Sequence, residues 1–170
     1  VNASVVWGAA YDGAAPTNPC NDYCKTTNGG TLWTGSSITG ATGLSIANIV
    51  ATDGFNAWAC CYNPGAGSNH GGVFYNSDGG TTWTKQATAL FTNSASFPDC
   101  VHFFDDNNGW VMGDPISGEY EIYTTTDGGN VWTVVPGSQI PNPLSGEFGV
   151  VGYYSAIGNT IWFGTNKGRV

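Results

Sequence analysis

Charged residues are scarce in this chain of 170 residues. They make up 9% of the sequence, and four Lys and Arg side chains face twelve Asp and Glu, for a formal net charge of −8. A nucleic-acid interface needs a basic stripe that neutralises phosphates, so the composition argues against nucleic acid as a partner. The same deficit disfavours anionic membrane surfaces. The chain is not disordered, because seven Trp, eight Tyr and eight Phe supply the apolar surface of a folded core.

Long apolar runs and helical periodicity are also missing. No stretch approaches the roughly 18 apolar residues of a membrane-spanning helix, so we expect no membrane insertion. The apolar residues come in short runs between turns rich in Gly, Asn and Thr, which is typical of an all-β protein. The chain opens with Val1 in place of Met, so we expect a processed or partial chain.

Motifs that bind metals are weak. The Cys-x-x-x-Cys pair and the vicinal pair lack a second Cys-x-x-Cys and a well-placed His, so we expect no metal site. Calcium in the acidic segment 105–108 is a weaker alternative, since no EF-hand-like loop is present. Disulfides in an oxidising compartment are favoured, with one cysteine left over and the pairing open. The disulfide candidates are Cys20, Cys24, Cys60, Cys61 and Cys100.

One eight-residue segment recurs three times. Each copy has a small polar residue, Asp or Asn two positions later, a Gly-Gly pair and then Trp. The Asx side chain can bond its own backbone and Gly supplies positive φ, so each copy predicts a tight hairpin turn. The corresponding residues are Thr26, Asn28, Gly30 and Trp33; Asn76, Asp78, Gly80 and Trp83; and Thr125, Asp127, Gly129 and Trp132.

A second set of tryptophans shares this period. Trp7, Trp58, Trp110 and Trp162 are 51, 52 and 52 residues apart, and the three turn tryptophans are 50 and 49 apart. A repeat of this length is that of a four-stranded propeller blade, with the periodic tryptophans in its core. We predict an all-β fold of β-propeller-type blades of four antiparallel strands, with about 3.3 repeats in one domain, 1–170. The approximate repeats are 1–40, 41–92, 93–143 and an incomplete 144–170.

The eight-residue turn resembles the Asp-box of sialidase-like (BNR, YCF48-like) β-propeller repeat proteins, of the kind that bacteria secrete by the type IX route. The resemblance covers residues 40–170 well and 1–39 loosely. It implies a secreted or cell-surface location and a structural role for the turn. The other segments that carry it are 103–109, Gly113-Asp114-Pro115, 121–129 and 161–170.

Catalysis within these residues is not expected. Sialidases hold the sugar carboxylate with three arginines, and Arg169 is the single arginine here. A general glycosidase needs two carboxylates about 5 to 10 Å apart. The candidates are Asp105, Asp106, Asp114, Glu119, Glu121 and Glu147. We interpret Asp105, Asp106 and Asp114, like Asp99, as turn residues and Glu119 as a loop residue. An enzyme with catalytic residues elsewhere is the weaker alternative.

We therefore predict a non-catalytic extracellular module for binding or adhesion, with a glycan or a protein as ligand. Tyrosines off the repeat positions are the binding candidates: Tyr11, Tyr23, Tyr62, Tyr153 and Tyr154. The alternative is a structural subunit of an extracellular filament or surface assembly, because incomplete blades leave open strand edges that pair with copies of the chain or with other chains. Asn2-Ala3-Ser4 is a lone N-glycosylation pattern.

Overall fold

The computed structural model describes residues 2–15, 17–65, 70–88 and 91–170. These residues form thirteen strands and one short 3₁₀ helix, Gly137–Gln139, so the predicted all-β class is confirmed. The strands are β1 (Val6–Ala9), β2 (Asp22–Thr26), β3 (Thr34–Ser37), β4 (Ser45–Ala51), β5 (Ala57–Tyr62), β6 (Gly72–Asn76), β7 (Thr84–Lys85), β8 (Pro98–Phe103), β9 (Gly109–Ile116), β10 (Glu119–Thr125), β11 (Thr133–Val134), β12 (Gly149–Ile157) and β13 (Thr160–Thr165).

The strands form four antiparallel sheets in chain order: β1–β3, β4–β7, β8–β11 and β12–β13. The second and third sheets have the predicted four strands. The first sheet has three strands in the described residues. A Gly-Gly turn joins β2 to β3, so these strands correspond to the second, third and fourth strands of a blade. The fourth sheet has the first two strands of a blade. The innermost strands β4, β8 and β12 pack successively, and β1 packs against β4, as in a β-propeller.

One hydrophobic core lies between each pair of successive sheets. Trp7 and Trp83 belong to the first core, Trp58 and Trp132 to the second, and Trp110 to the third. Strand β5 is apolar at nearly every position, with no alternation of apolar and polar residues, because it is buried on both faces. Successive residues point to opposite faces, and both faces of β5 are covered by a neighbouring sheet.

None of the predicted disulfides is present in the structure: all five cysteines carry free thiols. Cys60 and Cys61 are successive residues of β5, so their side chains point to opposite faces. Cys61 packs in the core of the first two sheets and Cys60 in the core of the second and third. Burial raises the pKa of Cys61 to about 12, which keeps this thiol protonated.

The three Gly-Gly turns have one hydrogen-bond pattern. The side chain of the first residue accepts the N–H of the second glycine: Thr26 from Gly30 at 3.0 Å, Asn76 from Gly80 at 2.7 Å and Thr125 from Gly129 at 2.9 Å. The Oδ1 of the following Asx residue accepts a further N–H at 2.9 Å, from Leu32, Thr82 and Val131 respectively. Local chemistry therefore closes each turn before any tertiary contact is made.

A second turn also recurs, ahead of each strand that carries a buried repeat-position Trp, and its repetition was not predicted from the sequence. Asn2, Asp53 and Asp105 each accept two backbone N–H groups, from the residues two and three positions later. Their spacing of 51 and 52 residues is the same repeat signal that the tryptophans carry. Segment 105–108, the calcium candidate, is thus a turn whose hydrogen bonds lower the pKa of Asp105.

No helix in the described part of the chain has the length and apolar character needed to cross a bilayer. Within the same residues, no three His, Cys, Asp or Glu side chains are grouped so that they could hold a metal ion.

Candidate binding surface

The connections between strands divide the molecule into two ends. Both kinds of repeated turn lie at one end, here called the turn end, because β4–β5 and β6–β7 close at the same side of an antiparallel sheet. The opposite end, called the loop end, carries the β1–β2 and β5–β6 connections and the segments that join one sheet to the next. These longer connections are 10–21, 63–71, 38–44, 86–97 and 135–148. Variable loops on a rigid scaffold are where binding sites usually lie.

A cavity of about 210 Å³ opens at the loop end, and three sheets contribute to it. The β1–β2 loop contributes Tyr11 and Asp12, β5 contributes Tyr62 and β12 contributes Val151. The side chain of Tyr11 is 71% exposed. The ring of Tyr62 is fixed against Phe97, with centroids 4.6 Å apart. One exposed ring and one ring packed against a neighbouring aromatic side chain therefore border the same cavity.

The polar groups of this cavity are held by the loop itself. Oδ1 of Asp12 accepts the N–H of Ala14 at 3.0 Å and of Ala15 at 3.1 Å, which fixes the loop beside Tyr11. Oγ of Ser45 accepts the N–H of Cys20 at 3.1 Å and ties the loop to β4. Aromatic rings beside a carboxylate suit a ligand that offers an apolar side chain and hydrogen-bond donors.

A larger, more polar groove of about 540 Å³ lies at the turn end, between β4, β8 and β12. Thr52 donates to Asp106 across the second and third sheets. His102 lies 3.3 Å from the hydroxyl of Tyr154, through Nδ1, and burial lowers the pKa of this His. A neutral His102 is thus favoured, so the only formal charges on this groove are carboxylates, from Asp105 and Asp106.

The five candidate tyrosines do not converge on one site. Tyr11 and Tyr62 share the loop-end cavity, and Tyr153 and Tyr154 line a second cavity on β12 and β13. The binding interpretation of Tyr23 is wrong: this residue is buried in the first core and donates from its hydroxyl to the carbonyl of Gly80 at 2.6 Å. Tyr23 lies on β2, where the side chain faces the neighbouring sheet.

One tryptophan assigned to the repeat core, Trp162, and one turn tryptophan, Trp33, are nearly half exposed. Trp7, Trp58 and Trp110 of the repeat positions are buried, whereas Trp162 is 43% exposed. Of the turn tryptophans, Trp83 and Trp132 are buried and Trp33 is 47% exposed. The reason is position: Trp33 and Trp162 lie on the outer faces of the first and fourth sheets, which no other sheet of the described chain covers.

Three carboxylates assigned to turns or loops lie in strands instead, and one of them, Glu119, is the first residue of β10. Asp99 is in β8 and Asp114 in β9, and Asp114 accepts the N–H of Gly149 in β12 at 2.9 Å. Asp99 is 1% exposed, and no N–H or hydroxyl of the described residues donates to it. The charges of Asp99 and Asp114 repel each other in this buried position, which favours a proton on one of the two carboxyls.

Burial, followed by the charge of Asp114, raises the pKa of Asp99 to about 8. Burial likewise raises the pKa of Asp114. The titratable neighbours are Cys60, Cys100 and Tyr120, each of which interacts electrostatically with Asp99. Both residues lie in the third sheet near its loop end, and Asp114 links this sheet to the fourth through Gly149. The pair borders none of the cavities described above.

Arg169, the single arginine, is committed to a structural ion pair. Its Nη1 lies 2.7 Å from Oε2 of Glu147, whose side chain is buried, and Thr165 donates to the other oxygen of that carboxylate at 2.6 Å. Hydrogen bonds, the first from the N–H of Leu144, lower the pKa of Glu147. Arg169 is therefore held against Glu147 instead of being directed to a ligand.

Comparisons place this architecture among known folds. YCF48 bound to D1 peptide is 16% identical, with a TM-score of 0.53 over 78% of this chain and 37% of that chain. The GH74 xyloglucanase from Xanthomonas campestris is 13% identical, with a TM-score of 0.56 over 92% of this chain and 27% of that chain. YCF48 from Cyanidioschyzon merolae is 16% identical, with a TM-score of 0.48 over 79% and 41%.

No protein-family model matches the chain, and no curated protein matches it either. The chain spans between 27% and 41% of the length of the three similar structures. Identities this low show the fold alone, and the neighbours include both a peptide-bound protein and an enzyme. From sheet order, core packing and these structural likenesses, the fold is a β-propeller.

Proposed function

We propose that this chain is a non-catalytic binding module that holds a segment of another protein at the loop end. The observation that carries the proposal is the cavity bordered by Tyr11 and Tyr62, to which three sheets contribute. Tyr presents a large rigid contact area at a low conformational cost, so an exposed Tyr at the mouth of a cavity is suited to anchoring a partner.

A protein ligand is favoured over a glycan for two reasons. The structurally similar YCF48 is bound to a peptide. In addition, Oδ2 of Asp12, which accepts only a long hydrogen bond of 3.5 Å from Asn18, offers an acceptor beside two aromatic rings for a backbone or basic side-chain donor of a peptide. The net charge of −8 further favours a basic segment, because opposite charge speeds association.

Non-catalytic action and an extracellular location belong to the same proposal. A sialidase-type site would need three arginines, and the one arginine is paired with Glu147. The buried Asp99–Asp114 pair lines neither the loop-end cavity nor the turn-end groove. The three Gly-Gly turns resemble the Asp-box, and the resemblance points to repeat proteins of the kind that bacteria secrete. Low charge with abundant Thr and Asn also suits a secreted protein. Detection of the chain in the culture medium, against the cell fraction, tests the location.

The binding proposal is tested with an array of synthetic unstructured peptides, probed with the purified chain beside a glycan array. The affinity of the strongest peptide is then measured by calorimetry for the wild type and for Tyr11→Ala. We expect about a tenfold loss or more on removal of the exposed ring, which is about 1.4 kcal/mol. Val134→Ala, an exposed position on β11, is the matched control and should bind normally.

Binding to glycans alone would contradict the protein-ligand proposal. Peptide binding that is equally strong in Tyr11→Ala would contradict the loop-end site.

A further inference from the structure

The size of the loop-end cavity limits which part of a partner it can hold. Its volume is about 210 Å³. Pockets that enclose a whole small ligand have about 300–1,000 Å³. The smaller space suits one side chain of a bound segment, whose backbone then lies across the mouth of the cavity. A single side chain in a fitted pocket can carry most of the energy of an interface, so the chemistry of the lining selects the anchoring residue.

The charge of this cavity comes from Asp12. No Lys, Arg or His is among the described residues that line it. The two oxygens of the carboxylate differ in what they accept. Oδ1 accepts the N–H groups of Ala14 and Ala15, whereas Oδ2 accepts, among the described donors, only Nδ2 of Asn18 at the long distance of 3.5 Å. One carboxylate oxygen is therefore open to a cation that enters the cavity.

The aromatic rings of Tyr11 and Tyr62 border the same space. A cation is attracted to the face of an aromatic ring, and an oxygen acceptor beside the ring adds to this attraction. The chain holds one of its own lysines in this way. Nζ of Lys25 lies 4.5 Å from the centre of a ring of Trp7 and donates to the carbonyl of Gly79 at 3.0 Å. The loop-end cavity combines the same two elements, a ring and an oxygen acceptor.

We propose that this cavity binds the side chain of a lysine in the partner segment, whose ammonium group donates to Oδ2 of Asp12 beside the rings of Tyr11 and Tyr62. The state of the carboxylate favours lysine over arginine. A guanidinium fork is matched by two free oxygens, and here Oδ1 is occupied, whereas an ammonium group is a point charge that needs one oxygen. This inference rests on the proposed peptide binding and names the residue that determines its specificity.

Asp12→Asn removes the charge and keeps the loop. Asn retains the Oδ1 acceptor, and Asn2 already forms a turn of the same kind with the N–H groups two and three residues later. Asp78→Asn is the matched control, because Oδ1 of Asp78 also accepts two backbone N–H groups and lies at the turn end. Each variant loses one negative charge, so a difference between them depends on where the charge lies and not on the net charge.

The probe is the strongest peptide of the array, made with an acetylated amino terminus so that only lysine side chains supply amines. Each lysine is replaced in turn by arginine, or by acetyl-lysine, which lacks the charge. Calorimetry measures the affinity of each peptide for the wild type, Asp12→Asn and Asp78→Asn, and thermal unfolding checks that both variants are folded. The combination of protein and peptide changes isolates the contact between Asp12 and the lysine.

At one lysine of the peptide, we expect acetylation to lower the affinity for the wild type at least about tenfold, and arginine to lower it less. Asp12→Asn should lose at least about tenfold for the parent peptide and little more when that lysine is acetylated. Asp78→Asn should bind every peptide as the wild type does. If Asp12→Asn does not fold, the peptide changes measured on the wild type still decide the outcome.

Several results would overturn the lysine site alone: a strongest peptide without lysine, acetylation without effect at every lysine, equal losses in the two variants, or arginine bound as tightly as lysine. The proposed function still stands in these cases if Tyr11→Ala weakens binding. An array with no bound peptide, or binding that Tyr11→Ala leaves unchanged, removes the proposed function and the lysine site together.

Discussion

Truncation of Trp58 measures how much one contact between sheets contributes to stability. This side chain is wholly buried, and its ring lies 3.7 Å from that of Phe103 and 4.9 Å from that of Tyr75, centroid to centroid. A buried Trp removes about 200 Å² from water, which at about 25 cal/mol per Å² is worth about 5 kcal/mol. The carbonyl of Gly128 keeps a second donor, Nε2 of Gln86 at 2.8 Å, so the lost hydrogen bond adds little.

We therefore expect Trp58→Ala to lower the free energy of unfolding by about 3–5 kcal/mol, the usual range for a buried Trp. Trp162→Ala is the matched control at the same repeat position, where 43% exposure limits the loss to about 2–3 kcal/mol. The measurement is urea unfolding followed by far-ultraviolet circular dichroism on dilute protein. The midpoint should fall with little change in slope. Equal losses for the two variants would refute the reasoning that coverage by the next sheet determines the contribution of each Trp.

Three further predictions concern buried polar groups and turns. The raised pKa of Asp99 means that the folded chain holds a proton that the unfolded chain has released. The free energy of unfolding should therefore fall between about pH 4 and pH 8, by at most about 1.4 kcal/mol per pH unit. Asp99→Asn should flatten this slope in a series of urea unfolding curves. An unchanged slope would mean that a group other than Asp99 causes the pH dependence. Gly80→Ala should lower the free energy of unfolding by about 2–4 kcal/mol, because φ is +105° and a Cβ would lie 2.3 Å from the hydroxyl of Tyr23. Gly30→Ala, at the same turn position with only its own turn nearby, should lower it by about 1 kcal/mol. Thermal unfolding compares the two variants. Asn76→Ala should lower the free energy of unfolding by about 2–3 kcal/mol, because it leaves buried hydrogen-bond partners unsatisfied. Asn76→Thr should cost less than half as much, since Thr occupies this position in the other two turns. Equal losses for the two variants would show that the turn does not depend on the side-chain acceptor.

Most of the fold could be predicted because its signals are local or periodic. A Gly-Gly turn is closed by an acceptor and two glycines within eight residues, so its chemistry is complete in the sequence. The period near fifty follows from one blade being one repeat, and it predicted the all-β propeller that the structure confirms. The approximate repeat boundaries stay predictions.

The candidate site could be predicted only in part, for a physical reason that Tyr11 and Tyr23 illustrate. Both lie off the repeat positions, and nothing in the sequence separates them. Tyr11 lies in a loop and is exposed, whereas Tyr23 lies on β2 and its hydroxyl meets the carbonyl of Gly80 from the next sheet. Which tyrosine is free depends on a neighbour 57 residues away along the chain.

Sequence alone determined the turns, the repeat length and the low positive charge that argues against nucleic acid, because each depends on residues close together or on composition. Tertiary structure alone decided which repeated residues are covered. Asp99 and Asp114 resemble turn residues beside Pro and Gly, yet strand pairing places them in the neighbouring strands β8 and β9, where Asp114 accepts the N–H of Gly149. Trp58 and Trp162 occupy the same repeat position. Burial is a property of a pair of sheets, so only the arrangement of sheets could leave one tryptophan covered and the other exposed.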